Sequence, residues 1–128
     1  LVIDYGHARA GLGDTLQSIA RHEYADVLED PGTRDITAHV DFGTLAHAAT
    51  AHTCVHGPVT QGYFLTALGI VARAEMLAAK ATPKQRQQIM LDLHRLTAPS
   101  AMGDLFKVMC WTAKNSGLQP AGFAGEGA

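Results

Sequence analysis

The chain opens on a short apolar run that ends in an acidic residue and a glycine. Leu1-Val2-Ile3 is followed at once by Asp4-Tyr5-Gly6. A β-branched apolar run without alternation is typical of a strand buried on both faces, as in a parallel sheet. Ligands of open α/β sheets bind at the carboxyl ends of such strands. The run therefore predicts an α/β fold in which Asp4 lies where a strand meets its ligand-binding loop.

Strand-like and helix-like segments alternate along the rest of the chain. The predicted elements after the first strand are a loop over 7–13, a short helix over 15–22, a Pro-Gly turn at 31–32, a helix from about 41 to 52, a strand over 53–60, a longer helix from 60 to 77 with a mostly buried apolar stripe, a helix that begins at the Thr82-Pro83 cap, and a final strand over 105–112. Alternation of this kind indicates an α/β fold with a central sheet.

The stretch from Asp35 to Phe42 combines two carboxylates, a hydroxyl and an imidazole with apolar residues. Asp35 or Thr37 can cap a helix, and Asp41 reads as the start of the helix that follows it. A cap accounts for one carboxylate. It leaves the other carboxylate and His39 as candidates for a functional role, and a hydrogen-bonded loop anchor is the alternative for both.

Charge and composition exclude several classes of partner. The chain has 128 residues, a net charge of -2 and no basic run, which gives no electrostatic basis for binding nucleic acid. No apolar stretch approaches the roughly 18 residues that span a bilayer. Seven histidines are present, but His47, His52 and His56 lack the spacing of a zinc site. We therefore expect no nucleic-acid partner, no membrane span and no metal.

Several unrelated short motifs follow one another along the chain. They are Asp4-Tyr5-Gly6, Asp14-Thr15-Leu16, His22, Pro31-Gly32, the stretch 35–42, Thr60-Gln61-Gly62, Leu96-Thr97-Ala98-Pro99 and Phe106-Lys107-Val108. In this order, from Leu1 to about Phe123, the chain resembles the MidA-like family of S-adenosylmethionine-dependent methyltransferases of bacteria and mitochondria. The mitochondrial member resembles a protein arginine methyltransferase that helps assemble respiratory complex I.

The resemblance implies the carboxyl-terminal part of a Rossmann-like class I methyltransferase sheet whose last strand is antiparallel. Residues 1–4 would form the fifth strand, 53–56 the sixth and 105–112 the antiparallel seventh. Residues 1–123 would belong to the methyltransferase domain, and 124–128 would be a tail. The glycine-rich cofactor motif of the amino-terminal half is absent, since Gly11-Leu12-Gly13 follows the wrong strand. We therefore expect S-adenosylmethionine to bind the intact protein and the 128-residue piece alone to be inactive.

Methylation of a guanidinium requires carboxylates that orient the group and help remove a proton. The candidate catalytic residues are Asp4, Asp35, His39 and Asp41. The candidate substrate-binding residues are Tyr5, Gly6, Gln61 and Gly62. The alternative for Asp4 is a cap of the next segment, and the alternative for Gln61 and Gly62 is a simple turn.

Two classes of function remain open at this point. The resemblance implies a methyltransferase that acts on a protein arginine, with a respiratory complex subunit as the possible substrate. The alternative is a non-catalytic assembly factor or binding module on the same fold. In either case we expect the chain to associate with the missing half or with a second copy, because an exposed sheet edge tends to associate. The expected location is the bacterial cytoplasm or the mitochondrial matrix.

Overall fold

The structure, a computed structural model, describes residues 1–9, 15–20, 23–30 and 32–124. In chain order its elements are β1 (Val2–His7), β2 (Gln17–Ala20), β3 (Glu23–Ala25), β4 (Asp35–Thr37), β5 (Val40–Asp41), α1 (Phe42–Thr50), β6 (Thr53–Thr60), α2 (Gln61–Ala67), α3 (Ile70–Ala79), α4 (Pro83–Thr97), an irregular helical turn (Pro99–Gly103) and β7 (Phe106–Ala113). Asp14, His22, Pro31, the Gly11-Leu12-Gly13 segment and tail residues 125–128 lie outside the described residues.

The main sheet has four strands in the order β5-β1-β7-β6. The pairing of β1 with β5 is parallel, whereas β7 runs antiparallel to both β1 and β6. Strand β7, the expected seventh strand, therefore lies between β1 and β6, the expected fifth and sixth strands. This arrangement confirms the predicted α/β class and the antiparallel last strand.

The core lies on both faces of β7. Val108 and Met109 are both 0% exposed, and successive side chains of a strand point to opposite faces. Val108 packs with Val59, Phe64 and Phe123. Phe42 at the start of α1 is also fully buried, and its ring lies against Gly6. Helix α1 thus covers one face of the sheet, while α2 and the segment around Phe123 cover the other.

A second, smaller sheet has the strand order β3-β2-β4, and its described strands pair with no strand of the main sheet. Its central strand β2 lies where the sequence predicted a helix over 15–22, so that prediction was wrong. The spacing of Leu16 and Ile19 is compatible with either structure over so short a segment. The segment forms a strand because antiparallel pairing with β3 and β4 provides hydrogen-bond partners for backbone N–H and C=O groups on both edges of β2.

The predicted long helix from 60 to 77 is two helices. Gly69 adopts a left-handed conformation with φ of 85° between α2 and α3, which a glycine tolerates and which ends a helix. The predicted buried stripe is also wrong beyond this break. Val71 and Met76 are exposed, because α3 leaves the axis of α2 and no longer follows the sheet, and Leu68 at the end of α2 is exposed as well.

Within the described residues, no single helix has the length and apolar character needed to cross a membrane. Helices α2 and α3 meet that test only as a pair, by length and composition, and they bend by 65° at their junction.

The predicted helix starts are confirmed at Asp41 and Thr82. The Asp41 side chain accepts a hydrogen bond from the Thr44 backbone N–H, and α1 begins at the next residue. Thr82 and Gln85 form a reciprocal capping box, with Pro83 as the first residue of α4. Asp35 and Thr37 cap no helix, because both lie in β4.

We expect Thr82→Ala to lower the free energy of unfolding by about 1 kcal/mol, since it leaves the Gln85 N–H without its side-chain acceptor. Urea unfolding of the intact protein measures the change. Lys84→Ala, an exposed substitution in the same turn, should stay within about 0.5 kcal/mol of wild type. Equal effects of the two substitutions would contradict a stabilising role of the capping box.

Candidate functional site

The sheet register brings most of the predicted residues to one edge. Asp4 on β1 lies opposite Lys107 on β7, and Lys107 lies opposite Thr60 at the end of β6. Thr60 is the last residue of β6, but β1 continues beyond Asp4 to His7, so the expectation that Asp4 lies where its strand ends was wrong. Gln61 and Gly62 follow directly after β6 and begin α2. Candidates from separate parts of the sequence therefore lie near one edge of the sheet, the edge at which ligands bind in open α/β folds in general.

Asp4 is half-buried at this edge. Its Oδ1 accepts a hydrogen bond of 2.8 Å from the backbone N–H of Tyr5. Its register partner Lys107 directs its Nζ to the backbone carbonyl of Asp104 instead of to the Asp4 carboxylate. Asp4 therefore keeps acceptor capacity that the described residues do not use.

Tyr5 is the centre of a line of three rings. Its ring centroid lies 5.7 Å from that of His39 and 5.7 Å from that of Phe106, with interplanar angles of 66° and 86°. Both are edge-to-face contacts, the geometry that aromatic pairs prefer. Tyr5 and Phe106 are also register partners on β1 and β7, so their side chains lie on the same face of the sheet. These contacts hold the Tyr5 ring in one orientation.

A cavity of about 340 Å³ separates this face of the main sheet from the small sheet. Six of the residues that line it are Tyr5, Gln17, Asp35, Thr37, His39 and Phe106. Three of these, Tyr5, Asp35 and His39, are among the candidates from the sequence. The cavity therefore unites side chains of β1 with side chains of the stretch from Asp35 to Phe42.

Sequence reasoning missed Gln17, Thr37 and Phe106 as lining residues. A signal for Phe106 existed, because a seventh strand paired with the fifth places its first residues beside Tyr5. Gln17 gave no signal, because its segment was predicted to be helical. The Thr37 hydroxyl is shielded from solvent and finds no hydrogen-bond partner among the residues that the structure describes.

Asp41 does not line this cavity. Its carboxylate accepts hydrogen bonds from the backbone N–H of Thr44 at 2.9 Å and from the Thr44 hydroxyl at 2.8 Å. These two bonds hold the pKa of Asp41 below its usual value of 3.8, and the nearby His7, at 3.9 Å between Nε2 and Oδ1, acts in the same direction. The observed contacts of Asp41 are those of a helix cap.

Gly6 permits a close approach of two segments. A Cβ at this position would overlap the backbone carbonyl of Val40 and the ring of Phe42. Because β5 pairs with β1 at Gly6 and His7, this approach positions the start of α1 against the sheet. The described contacts of Gly6 are thus packing contacts.

Gln61 and Gly62 join α2 to the end of α4. Gln61 is only 6% exposed, and its Nε2 donates a hydrogen bond of 2.9 Å to the carbonyl of Leu96. A Cβ on Gly62 would lie 2.5 Å from the carbonyl oxygen of Thr97. Neither residue lines the cavity beside Tyr5. They instead support the helices that flank the same sheet edge.

The described residues form neither a metal site nor a glycine-rich cofactor cradle. In the described ranges, no group of three His, Cys, Asp or Glu side chains is close enough to hold a metal ion. The described strand-to-helix junctions at Asp41 and Thr60 are single-residue caps, not glycine-rich loops. They do not fit the glycine-rich cradle that a nucleotide-like cofactor requires.

Comparison with known proteins identifies the family. Residues 1–59 match the family model described as "Putative S-adenosyl-L-methionine-dependent methyltransferase". The chain is 40% identical over 111 residues to the mitochondrial protein arginine methyltransferase NDUFAF7 homolog of Drosophila melanogaster, covering 85% of this chain and 25% of that protein. It is 39% identical over 107 residues to the mitochondrial protein arginine methyltransferase NDUFAF7 of Homo sapiens, covering 83% and 24%. The chain belongs to the MidA-like methyltransferase family.

Solved structures of two Burkholderia thailandensis proteins resemble the fold. One, an uncharacterized protein, has a TM-score of 0.81 and 29% identity, covering 95% of this chain and 34% of that chain. The other, bound to S-adenosyl-homocysteine, has a TM-score of 0.75 and 30% identity, covering 95% and 33%. The present chain spans about a quarter of the length of the curated relatives and a third of these structures.

We expect Gly6→Ala to destabilise the protein by about 1–3 kcal/mol or more, because the added methyl group overlaps rigid backbone at Val40. Gly117→Ala is the control. It introduces strain at a φ of 63° but meets no atom within 4 Å, so it should cost about 1 kcal/mol. Urea unfolding measures both variants. A Gly6→Ala protein of wild-type stability would contradict the packing role.

The lowered pKa of Asp41 predicts a pH dependence. Because the folded-state pKa lies below the unfolded value, the charged carboxylate stabilises the fold above about pH 4, and this contribution disappears as the pH falls through the folded-state pKa. The stability difference between wild type and Asp41→Asn should therefore shrink on acidification from about pH 6 to 3. Thr44→Val, which removes the hydroxyl donor to the Asp41 carboxylate, should make the pH dependence of stability weaker. A difference that stays constant over this range would contradict the assignment.

Proposed function

We propose that the intact protein is an S-adenosylmethionine-dependent methyltransferase that methylates arginine in a protein substrate. This chain then supplies the acceptor side of the site. The observation that carries the proposal is the cavity in which Tyr5, Asp35 and His39 meet beside the carboxyl edge of the sheet. Support for the cofactor comes from the family match and from the related structure bound to S-adenosyl-homocysteine.

The cofactor cradle is assigned to another part of the intact protein, outside residues 1–128. The described residues lack the glycine-rich loop that holds such a cofactor, and the chain matches only a quarter of its curated relatives. In this proposal residues 1–123 are the carboxyl-terminal part of the methyltransferase domain. The four-stranded sheet would then extend beyond β1, whose residues Val2 to Tyr5 pair on one edge only among the described strands.

The candidate catalytic residues have different roles in the proposed reaction, because they lie in different surroundings. Transfer of a methyl group to a guanidinium nitrogen releases a proton, and an arginine side chain is protonated at the start. Asp35 lines the cavity, where its carboxylate can orient the guanidinium, and His39 is the neighbouring group that can accept the proton. Asp4 precedes Tyr5 on β1 and points to the opposite face of the sheet, so in this proposal it supports the sheet edge and does not line the cavity. Asp41 supports the site through the α1 cap.

The candidate substrate-binding residues also have different roles in this proposal. Tyr5 contacts the substrate directly in this proposal, since its ring forms a wall of the cavity. Gly6 acts by allowing β5 to approach β1, which positions the segment that carries His39. Gln61 and Gly62 act from the far side of the same edge by holding α2 against α4.

Support for a protein substrate comes from the curated relatives, which are named as mitochondrial protein arginine methyltransferases. The finer proposal is that the substrate is a subunit of a respiratory complex. The protein would then act in the mitochondrial matrix, or in the cytoplasm of a bacterium. Methylated peptides identified by mass spectrometry after incubation with a respiratory complex fraction test this assignment.

Titration calorimetry of the intact protein with S-adenosylmethionine tests the activity class. We expect binding that Asp35→Asn leaves unchanged, together with a loss of methyl incorporation of about 100-fold or more in that variant, since a positioned acid or base contributes at least that factor. Asp26→Asn, an exposed carboxylate whose contact is with its own loop, is the control and should keep full activity. Absence of cofactor binding would favour the non-catalytic assembly factor instead.

A further inference from the structure

The cavity between the two sheets is lined by one carboxylate and by no lysine or arginine among the described residues. The carboxylate, that of Asp35, faces aromatic and apolar side chains that include Tyr5, Phe106 and Leu105. Such a lining attracts a cation that carries an apolar stem, because the stem is desolvated against the rings and the charge is not repelled.

The two walls of the cavity come from different sheets. Tyr5 and Phe106 stand side by side on β1 and β7, and their edge-to-face contact leaves little freedom to either ring. Asp35 stands on β4 of the small sheet, opposite Ile19. A ligand that enters between the sheets therefore meets two aromatic side chains of fixed orientation on one side and a carboxylate on the other.

We propose that Tyr5 and Phe106 determine acceptor specificity by cation–π contact with a planar guanidinium, which Asp35 neutralises from the opposite wall. The proposal rests on the proposed function and adds Phe106, which lies in one of the family motifs but was not among the candidate site residues. A guanidinium stacks on aromatic faces and is more weakly hydrated than an ammonium, so it enters a mainly apolar cavity at lower cost than lysine does. Tyr5 and Phe106 thus select arginine over lysine.

Three peptides of identical sequence except at one position test the proposal on the intact protein. The variable position holds arginine, its neutral isostere citrulline, or lysine, and calorimetry measures the affinity without any need for catalysis. The arginine peptide should bind about fivefold or more tightly than the other two. Phe106→Leu and Asp35→Asn should each remove most of that preference, while citrulline affinity stays the same.

Tyr5→Phe is the matched control, since it keeps an aromatic face and should keep the preference, whereas Tyr5→Leu should lose it. Thermal unfolding confirms that each variant is folded, and the Asp35→Asn variant changes an exposed residue and so provides a second arm if Phe106→Leu does not fold. Equal binding of arginine and citrulline peptides, or an equal loss of both in Phe106→Leu, overturns the inference. Failure of S-adenosylmethionine binding with the preference intact overturns the proposed function alone.

Discussion

The antiparallel pairing of β7 between β1 and β6 is the interaction on which the rest of the structure depends. It places Val108 and Met109 in the core on opposite faces of the sheet, so one strand connects both hydrophobic layers. The same register sets Phe106 beside Tyr5 and aligns Asp4, Lys107 and Thr60 in one row. A shift of one residue would turn each of these side chains to the other face. The register of β7 therefore determines both the core packing and the geometry of the site.

A second constraint acts where the chain returns to the sheet after the small β3-β2-β4 sheet. Gly6 has no side chain, which lets the Val40 carbonyl and the Phe42 ring approach β1 closely. The approach places the start of α1, which Asp41 caps, against β1, and His39 lies against the Tyr5 ring. Stretch 35–42 consequently serves two purposes that are separate in space. Asp41 stabilises a helix, while Asp35 and His39 face a cavity.

Local patterns predicted the elements whose signals lie within a few residues. The Thr82-Pro83 cap, the Asp41 cap and the strand over 53–60 agree with the structure, because side-chain capping and β-branched composition act over short range. The strand β2 and the break at Gly69 were not predicted. In the first case, pairing of β2 with the more distant β4 overrides a weak helical spacing. In the second case, a single backbone conformation outweighs a continuous apolar pattern.

The sequence by itself determined the α/β class and the family resemblance, because these depend on residue type and order, and the resemblance in turn implied the antiparallel last strand and the candidates Tyr5, Asp35 and His39. Only the tertiary structure decided which candidates meet. Tyr5, Asp35 and His39 line one cavity with Phe106, whereas Asp41, Gly6, Gln61 and Gly62 make capping and packing contacts. The physical reason is that strand register and the position of the small sheet depend on contacts between residues far apart in the chain. Residue type alone does not encode those distances.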